Sequence, residues 1–118
     1  MSSQRLRLGA DGETVVARHY ERLGFTVVAR NWRCREGEID LIVSRDDLLV
    51  FCEVKTRRSS TYGGGAAAVG WSKQRKIRGL AARWLAEHST QLVDVRFDVA
   101  VVNVSGQAFA VELLEAAF

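Results

Sequence analysis

The segment from Gly37 to Arg57 places the strongest constraint on how this chain folds. Two runs rich in β-branched and large apolar residues flank a turn-prone segment, Arg45-Asp46-Asp47, and this pattern predicts a β-hairpin. If the turn centres between Asp46 and Asp47, Asp40 lies directly opposite Glu53 on the neighbouring strand. A loop with one residue more or fewer would instead turn Asp40 to the other face of the sheet.

Three charged side chains converge on one face of this predicted hairpin. Opposed residues on one sheet face have Cβ atoms about 5 Å apart, and like charges there are destabilising. Lys55 follows Glu53 by two residues and therefore shares its face. A divalent cation between Asp40 and Glu53 would remove the repulsion, and a buried Asp–Lys or Glu–Lys ion pair would also satisfy the charges. Spacing alone leaves both interpretations open.

Composition indicates an ordinary globular protein with a mild basic excess. The chain has 118 residues, which suits one domain, and it is 47% hydrophobic and 26% charged. Its formal net charge of +3 permits a polyanionic partner without requiring one. The distribution is more informative, because the basic residues concentrate in residues 30–35, 55–58 and 73–83.

The cysteines and the apolar runs bear on the cellular compartment. Cys34 and Cys52 belong to no CxxC or Cys/His cluster, which argues against zinc and against a disulfide framework. The start of the sequence lacks the apolar segment of a signal peptide, and no apolar run approaches the ~20 residues of a membrane span. The sequence therefore predicts a cytoplasmic protein without a membrane partner.

A first helix is predicted from Ala10 to Leu23, with Asp11 at its start and Gly24 just past its end. Three apolar side chains at helical spacing form its predicted buried face, namely Val16, Tyr20 and Leu23. Glu13 lies at the edge of the same face, close to the predicted N-terminus. Its carboxylate is either stabilised by the helix dipole and solvated, or reaches toward the charged face of the sheet.

A second helix is predicted from Ser72, its N-cap, to about His88, with a strongly basic polar face. Its apolar stripe consists of Ile77, Leu80, Ala81, Trp84 and Leu85. Before it lies a long loop, residues 59–70, whose triple glycine lacks the spacing of a phosphate-cradling loop. Loops this long in compact domains are usually functional or mobile.

Three further strands complete the pattern. They are predicted at Phe25 to Asn31, Val95 to Val104 and Gln107 to Leu114. A basic turn from Asn31 to Gly37 joins the first of these strands to the hairpin. The predicted order of elements is α-β-β-β-α-β-β, an α/β domain.

The pair formed by Asp40 and Glu53-Val54-Lys55 resembles the core motif of the PD-(D/E)xK nucleases. Ile39 stands where that motif has proline, and Cys52 stands where valine is more usual. The wider resemblance is to the YraN family of small bacterial proteins. That family is generally described as endonucleases related to archaeal Holliday junction resolvases. The segments that carry it, spread over nearly the whole chain, are Gly12-Glu13, Arg30-Asn31-Trp32-Arg33, Gly37 to Ile42, Phe51 to Arg57, Lys73 to Ile77 and Arg96 to Val99.

This resemblance implies a restriction-endonuclease-like core, with a central mixed sheet flanked by helices, in a single nuclease-like domain spanning residues 1–118. It implies hydrolysis of phosphodiester bonds in DNA, with branched or junction DNA as a candidate substrate, and it suggests a homodimer. The alternative is a non-catalytic nucleic-acid-binding module on the same fold.

The resemblance also implies roles for individual residues. The catalytic set is Glu13, Asp40, Glu53 and Lys55. Mg²⁺ or Mn²⁺ is expected on Asp40, Glu53 and the backbone carbonyl of Val54, because Mg²⁺ needs only one or two carboxylates besides waters and a substrate phosphate. Phosphate contacts are expected from the basic residues that follow the charged strand, namely Arg57, Arg58, Lys73, Arg75 and Lys76.

Overall fold

The chain folds into one five-stranded sheet with two helices, in the described parts of a computed structural model. Those parts are residues 2–58, 69–88 and 93–118, with side chains described from Asp11 onward. The elements are α1 (Ser2–Arg22), β1 (Thr26–Cys34), β2 (Gly37–Arg45), β3 (Leu48–Arg58), α2 (Trp71–His88), β4 (Asp94–Ser105) and β5 (Ala108–Leu114). No described helix is long and apolar enough to cross a membrane.

The hairpin predicted around Asp46 and Asp47 is confirmed, together with its register. Strands β2 and β3 pair antiparallel from Arg45↔Leu48 to Leu41↔Cys52, so the turn is the two-residue pair itself. Asp46 has a φ of 53°, a left-handed conformation that aspartate adopts more readily than most residues. The turn therefore fixes the pairing of the two strands as far as Leu41↔Cys52, the positions next to Asp40 and Glu53.

The sheet is mixed, with strand order β1-β2-β3-β4-β5. Its one parallel pair joins β3 to β4 over the full length of β3, and α2 lies within the crossover between them. The other neighbouring strands are antiparallel. Strand β3, which carries Glu53 and Lys55, is therefore the central strand of the sheet.

A helix covers each face of the sheet, and each face has its own core. The α1 face comprises Val16, Ala17, Tyr20, Phe25, Leu41, Val43, Val50, Cys52, Ala100, Val102 and Val104. The α2 face comprises Ile39, Ile42, Leu49, Phe51, Ile77, Leu80, Ala81, Trp84 and Phe97. The predicted apolar stripe of the second helix is confirmed, since its first four residues are buried and Leu85 is half-buried against them.

The start of the first helix was predicted wrongly. Helix α1 begins at Ser2, so Asp11 lies inside it and is not its cap. No proline interrupts the preceding residues, and the helix continues through them. It ends at Arg22, one residue before the predicted Leu23, and Gly24 follows with a φ of +91° and donates its amide to the carbonyl of Glu21. Leu23 is 42% exposed and does not join the buried face, since the helix has already ended at Arg22.

Strand β1 also departs from its predicted course. It continues to Cys34 through the segment expected to be a basic turn, because that segment pairs with β2. A register shift between Val27 and Ala29 sends these two side chains to opposite faces of the sheet. Asn31 has a φ of 52° within the strand. Strict alternation was therefore the wrong guide here.

Helix α2 begins at Trp71, one residue before its predicted cap, Ser72. The carbonyl of Gly70 accepts the amide of Gln74 at 2.9 Å, and the side chain of Gln74 donates to the carbonyl of Val69 at 2.7 Å. Ser72 consequently lies in the first turn of the helix rather than at its N-cap. The glycine-rich loop expected to be functional or mobile falls mostly outside the described residues.

The buried Asp98 anchors the C-terminal segment on the α1 face. Its carboxylate accepts hydrogen bonds from the Tyr20 hydroxyl at 2.7 Å, from the Arg96 guanidinium at 2.9 Å and from the amide of Ala116 at 3.0 Å. These contacts satisfy a charge whose burial would otherwise be costly.

Candidate metal and nucleic-acid site

The regular pairing of β2 with β3 ends immediately before Asp40 and Glu53. The last described pair is Leu41↔Cys52, and beyond it the amide of Val54 donates to Oδ2 of Asp40 at 2.8 Å. Ile39 and Ile42 both belong to the α2 face, so the alternation of β2 also breaks beside Asp40. The Asp40 carboxylate thus accepts the hydrogen bond of the Val54 amide at a point where the regular β2–β3 pairing has ended.

Asp40 and Glu53 line the same small cavity. Burial raises the pKa of Asp40 to about 7, together with a hydrogen bond to the Glu53 carboxyl and the charges of Glu53 and Glu13, against the opposing effect of the Val54 amide. Two converging carboxyl groups that hold a proton near neutrality form a site that a cation can take over once the proton leaves. The predicted convergence of these two side chains is therefore present.

Glu13 is brought to the same region by a close helix–strand contact. Gly12 packs directly on Thr56 of β3, and a Cβ at this position would lie 2.2 Å from the Thr56 hydroxyl oxygen. Asn31 then donates its side-chain amide to Oε1 of Glu13 at 2.8 Å. Glu13 is half-buried and contributes to the raised pKa of Asp40, so of its two interpretations the one that reaches toward the charged sheet face is favoured.

Glu53 has an ion-pair partner that the sequence did not predict. Nζ of Lys73, in the first turn of α2, lies 3.1 Å from Oε2 of Glu53, whose side chain is only 15% exposed. Lys55 follows Glu53 on the same strand and on the same face by alternation. Among the described residues no carboxylate lies within ion-pair distance of Lys55. The ion pair considered from the sequence had Lys55 as its lysine, and in the structure Glu53 pairs with Lys73 instead.

The arrangement of Asp40 and Glu53 fits a small, hard divalent cation with two protein carboxylates. A cavity of about 10 Å³ lies beside them, close to the smallest volume that holds one water. In the described part of the chain no group of three or more acidic, histidine or cysteine side chains could hold a metal ion. Two carboxylates suffice for Mg²⁺, which keeps several waters and binds through substrate phosphate as well.

The basic residues expected to contact phosphates occupy different environments. Arg58, Arg75 and Lys76 are exposed. Arg57 is half-buried and donates to the side-chain oxygen of Asn103 at 2.7 Å, and Lys73 pairs with Glu53 as described above. The backbone carbonyl of Val54 remains a predicted ligand, because the described contact of Val54 is made by its amide.

A groove of about 450 Å³ runs between α2 and the β1–β2 turn, next to Glu53. Lys73 and Lys76 form its wall on α2. The opposite wall carries both charges, because Arg33 and Arg35 lie beside Glu36 and Glu38, and Arg33 pairs with Glu38 at 3.0 Å. The stem of Lys76 lies over Gly37, where a Cβ would come within 2.8 Å of Cε of Lys76. Cationic side chains from two parts of the chain thus line one groove beside the carboxylate pair.

Sequence reasoning missed Asn31 as a contributor to the site and did not predict the contact that Lys73 makes. Asn31 was assigned to a basic turn, although asparagine is one of the few residues that enter a left-handed conformation readily, which was the available signal. Lys73 was predicted to contact phosphate and not a carboxylate. Its contact depends on where α2 packs across the sheet, which no local pattern in the sequence encodes.

Comparison with known proteins places the chain in a family. A model of the uncharacterised protein family UPF0102 matches residues 12–102. A UPF0102 protein of Frankia casuarinae is 55% identical over 96 residues, which cover 81% of both chains. A UPF0102 protein of Rhodococcus opacus is 50% identical over 102 residues, 86% of both chains, and one of Beutenbergia cavernae is 48% identical over 108 residues, covering 91% of this chain and 92% of its own. The chain therefore belongs to UPF0102, the YraN family whose resemblance its sequence motifs carry.

Proposed function

We propose that this protein is a metal-dependent endonuclease that hydrolyses phosphodiester bonds in DNA, with branched or junction DNA as its candidate substrate. One observation carries the proposal: Asp40 and Glu53 line one small cavity where the β2–β3 ladder ends, and Lys73, which pairs with Glu53, also lines the neighbouring groove. Paired carboxylates at such a position are costly for the fold alone. They are the ligands that Mg²⁺ or Mn²⁺ prefers.

The proposed chemistry divides between the cation and the chain. A divalent cation on Asp40 and Glu53 would stabilise charge on the phosphate and make a bound water more acidic. The Val54 amide fixes the orientation of the Asp40 carboxylate, and Asn31 fixes that of Glu13. Glu13 adds a third negative charge beside the pair, which favours cation binding.

Lys55 has the role of neutralising charge in this proposal. It lies on the central strand two residues after Glu53, and it has no carboxylate within ion-pair distance in the described part of the chain. Its ammonium is therefore available to the scissile phosphate or to the attacking water. Arg58, Arg75 and Lys76 supply exposed positive charge for the flanking phosphates.

The test combines cleavage with thermal melting in four proteins: the wild type, Asp40→Asn, Glu53→Gln and Lys55→Ala. We expect Mg²⁺ or Mn²⁺ to support cleavage by the wild type only. We expect either ion to raise the melting temperature of the wild type and of Lys55→Ala, since lysine is not a ligand, and of neither carboxylate variant. A wild type that neither cuts DNA nor gains stability with millimolar metal would reject the proposal.

A second candidate is a nucleic-acid-binding module without catalysis. It is favoured by the contacts that already satisfy the acid pair, since the Val54 amide donates to Asp40 and Lys73 pairs with Glu53. This candidate predicts salt-sensitive DNA binding that is indifferent to Mg²⁺ and to Glu53→Gln. The homodimer implied by the resemblance is a further proposal, which sedimentation of the free protein tests.

A further inference from the structure

The ion pair between Lys73 and Glu53 joins the two halves of the candidate site. The ammonium of Lys73 lies 3.1 Å from Oε2 of Glu53, a carboxylate proposed above as a metal ligand. The same lysine also forms part of the wall of the basic groove. One flexible cation thus reaches both the carboxylate pair and the surface assigned to phosphate.

We propose that Lys73 is a displaceable counter-ion that couples metal binding to phosphate binding, an inference that rests on the proposed function. Without metal, its ammonium neutralises Glu53. A divalent cation on Asp40 and Glu53 takes over that neutralisation and releases Lys73 into the groove. A phosphate in the groove draws Lys73 away from Glu53 and so exposes the carboxylate to the cation.

The exposures of the two partners support this exchange. The side chain of Glu53 is 15% exposed, whereas that of Lys73 is 55% exposed. The carboxylate is therefore held by the sheet, and the lysine can swing out from the first turn of α2 without unpacking the core. A second ammonium in the same groove, that of Lys76, lies over Gly37 and has no contact with Glu53 among the described residues, which makes it a matched control.

The coupling must be reciprocal, because binding free energies are linked. If phosphate binding releases Glu53, then metal must strengthen phosphate binding by the same factor. A variant without the ammonium of Lys73 has no ion pair to break, so it should bind metal more tightly in the absence of nucleic acid. It should also lose the part of the mutual enhancement that Lys73 carries.

The first measurement is calorimetric titration of Mn²⁺ into the wild type, Lys73→Met and Lys76→Met without nucleic acid. We expect Lys73→Met to bind Mn²⁺ about fivefold or more tightly than the wild type, in the usual range for a coupling between sites. We expect Lys76→Met to stay close to the wild type. Equal affinities in all three proteins, or the same gain in both variants, would overturn the inference.

The second measurement is binding of a labelled DNA four-way junction and of a duplex of the same sequence, in EDTA and in Ca²⁺. For each DNA, the ratio of the affinity in Ca²⁺ to the affinity in EDTA should be smaller in Lys73→Met than in the wild type. Lys76→Met should weaken binding in both conditions and keep that ratio. An unchanged ratio in Lys73→Met contradicts the coupling.

The two proposals fail in different ways. A wild type that binds no Mn²⁺ overturns the metal site and the coupling together. Mn²⁺ binding that is indifferent to Lys73→Met overturns only the coupling. DNA cleavage by the wild type does not depend on either outcome of the Lys73 comparison, so it continues to decide the proposed function separately.

Discussion

Oδ2 of Asp40 accepts the backbone amide of Val54 at 2.8 Å, one residue past Glu53 in the neighbouring strand. The side chain of one strand thereby replaces the carbonyl that a continuing ladder would supply. The strands can separate at this point without leaving a buried amide unpaired, and the space between them holds the carboxylate pair. A structural hydrogen bond and the proposed metal ligand thus share one carboxyl group.

The first prediction separates these two roles of Asp40. Asp40→Asn keeps an oxygen that can accept the Val54 amide, so the free energy of unfolding should hold or rise by about 0.2–1 kcal/mol as the like charges are removed. Asp40→Ala leaves that amide without an acceptor and should cost about 1–3 kcal/mol. Urea denaturation without metal measures both. Equal losses in the two variants would contradict the role of the hydrogen bond.

The second prediction concerns pH and the same carboxyl group. The pKa of Asp40 is raised from its ordinary 3.8 to about 7, so the folded protein holds a proton that the unfolded chain releases. Its contribution to stability is fully present below about pH 4 and is lost as the pH rises through about 7. Without metal, the wild type should lose more stability than Asp40→Asn between about pH 5 and pH 8.

Metal binding should stabilise the protein more as the pH rises, because the metal ion binds the deprotonated carboxylates. The stabilisation of the wild type by Mg²⁺ should therefore be greater at about pH 8 than at about pH 6. Melting curves at the two pH values, with Mg²⁺ or with EDTA, provide the measurement. A Mg²⁺ effect that grows toward acid pH would contradict a carboxylate site.

The third prediction tests the contact between Gly12 and Thr56, which sets the position of the adjacent Glu13. Gly12→Ala places a Cβ 2.2 Å from the Thr56 hydroxyl oxygen, so helix and strand must move apart. Overpacking of this kind costs about 1–3 kcal/mol, partly offset by the better helix propensity of alanine. Thr56→Ala removes the obstructing oxygen, and the double variant should recover much of the loss. A strictly additive double variant, measured by urea denaturation, would show that the two residues do not collide.

The fourth prediction distinguishes phosphate contacts from general charge. If Arg75 and Lys76 contact phosphates, replacing each by alanine should weaken DNA binding and lower the log–log salt slope by about 0.9. Arg18 is an equally exposed cation on α1, the helix of the opposite face, and Arg18→Ala should leave the slope unchanged. Fluorescence anisotropy across a salt series measures the slopes. The same change of the salt slope in all three variants would indicate that the net charge of the protein, and not these two positions, determines DNA binding.

Local sequence patterns were sufficient to predict the central hairpin and the buried stripe of α2. A two-residue turn fixes the register of the strands that follow it, so the pairing from Arg45↔Leu48 to Leu41↔Cys52 could be predicted from parity. The break in alternation beside Asp40 could not. The stripe that begins at Ile77 reflects helical periodicity, which survives wherever one face of a helix is buried.

The remaining features depend on contacts between elements that are distant in the sequence. The irregularity at Val27 and the left-handed Asn31 break the alternation on which the prediction of β1 relied. The partner of Glu53 depends on how α2 lies across the sheet, and the partner of Glu13 depends on how Gly12 meets β3. These are packing outcomes, and hydrophobic periodicity carries no information about them.

The longest ladder in the sheet is the parallel one, which joins β3 to β4 across the whole intervening helix. Pairing of strands this distant in sequence requires a large loop to close, and the entropy lost in closing it is offset only after the contacts form. Topologies of this kind fold slowly. The hairpin that bears Asp40 and Glu53 can close within microseconds, long before Lys73 arrives with α2. We therefore expect the acidic half of the site to form first, with Lys55 of the same strand beside it, at a stage when the ion pair between Glu53 and Lys73 does not yet exist.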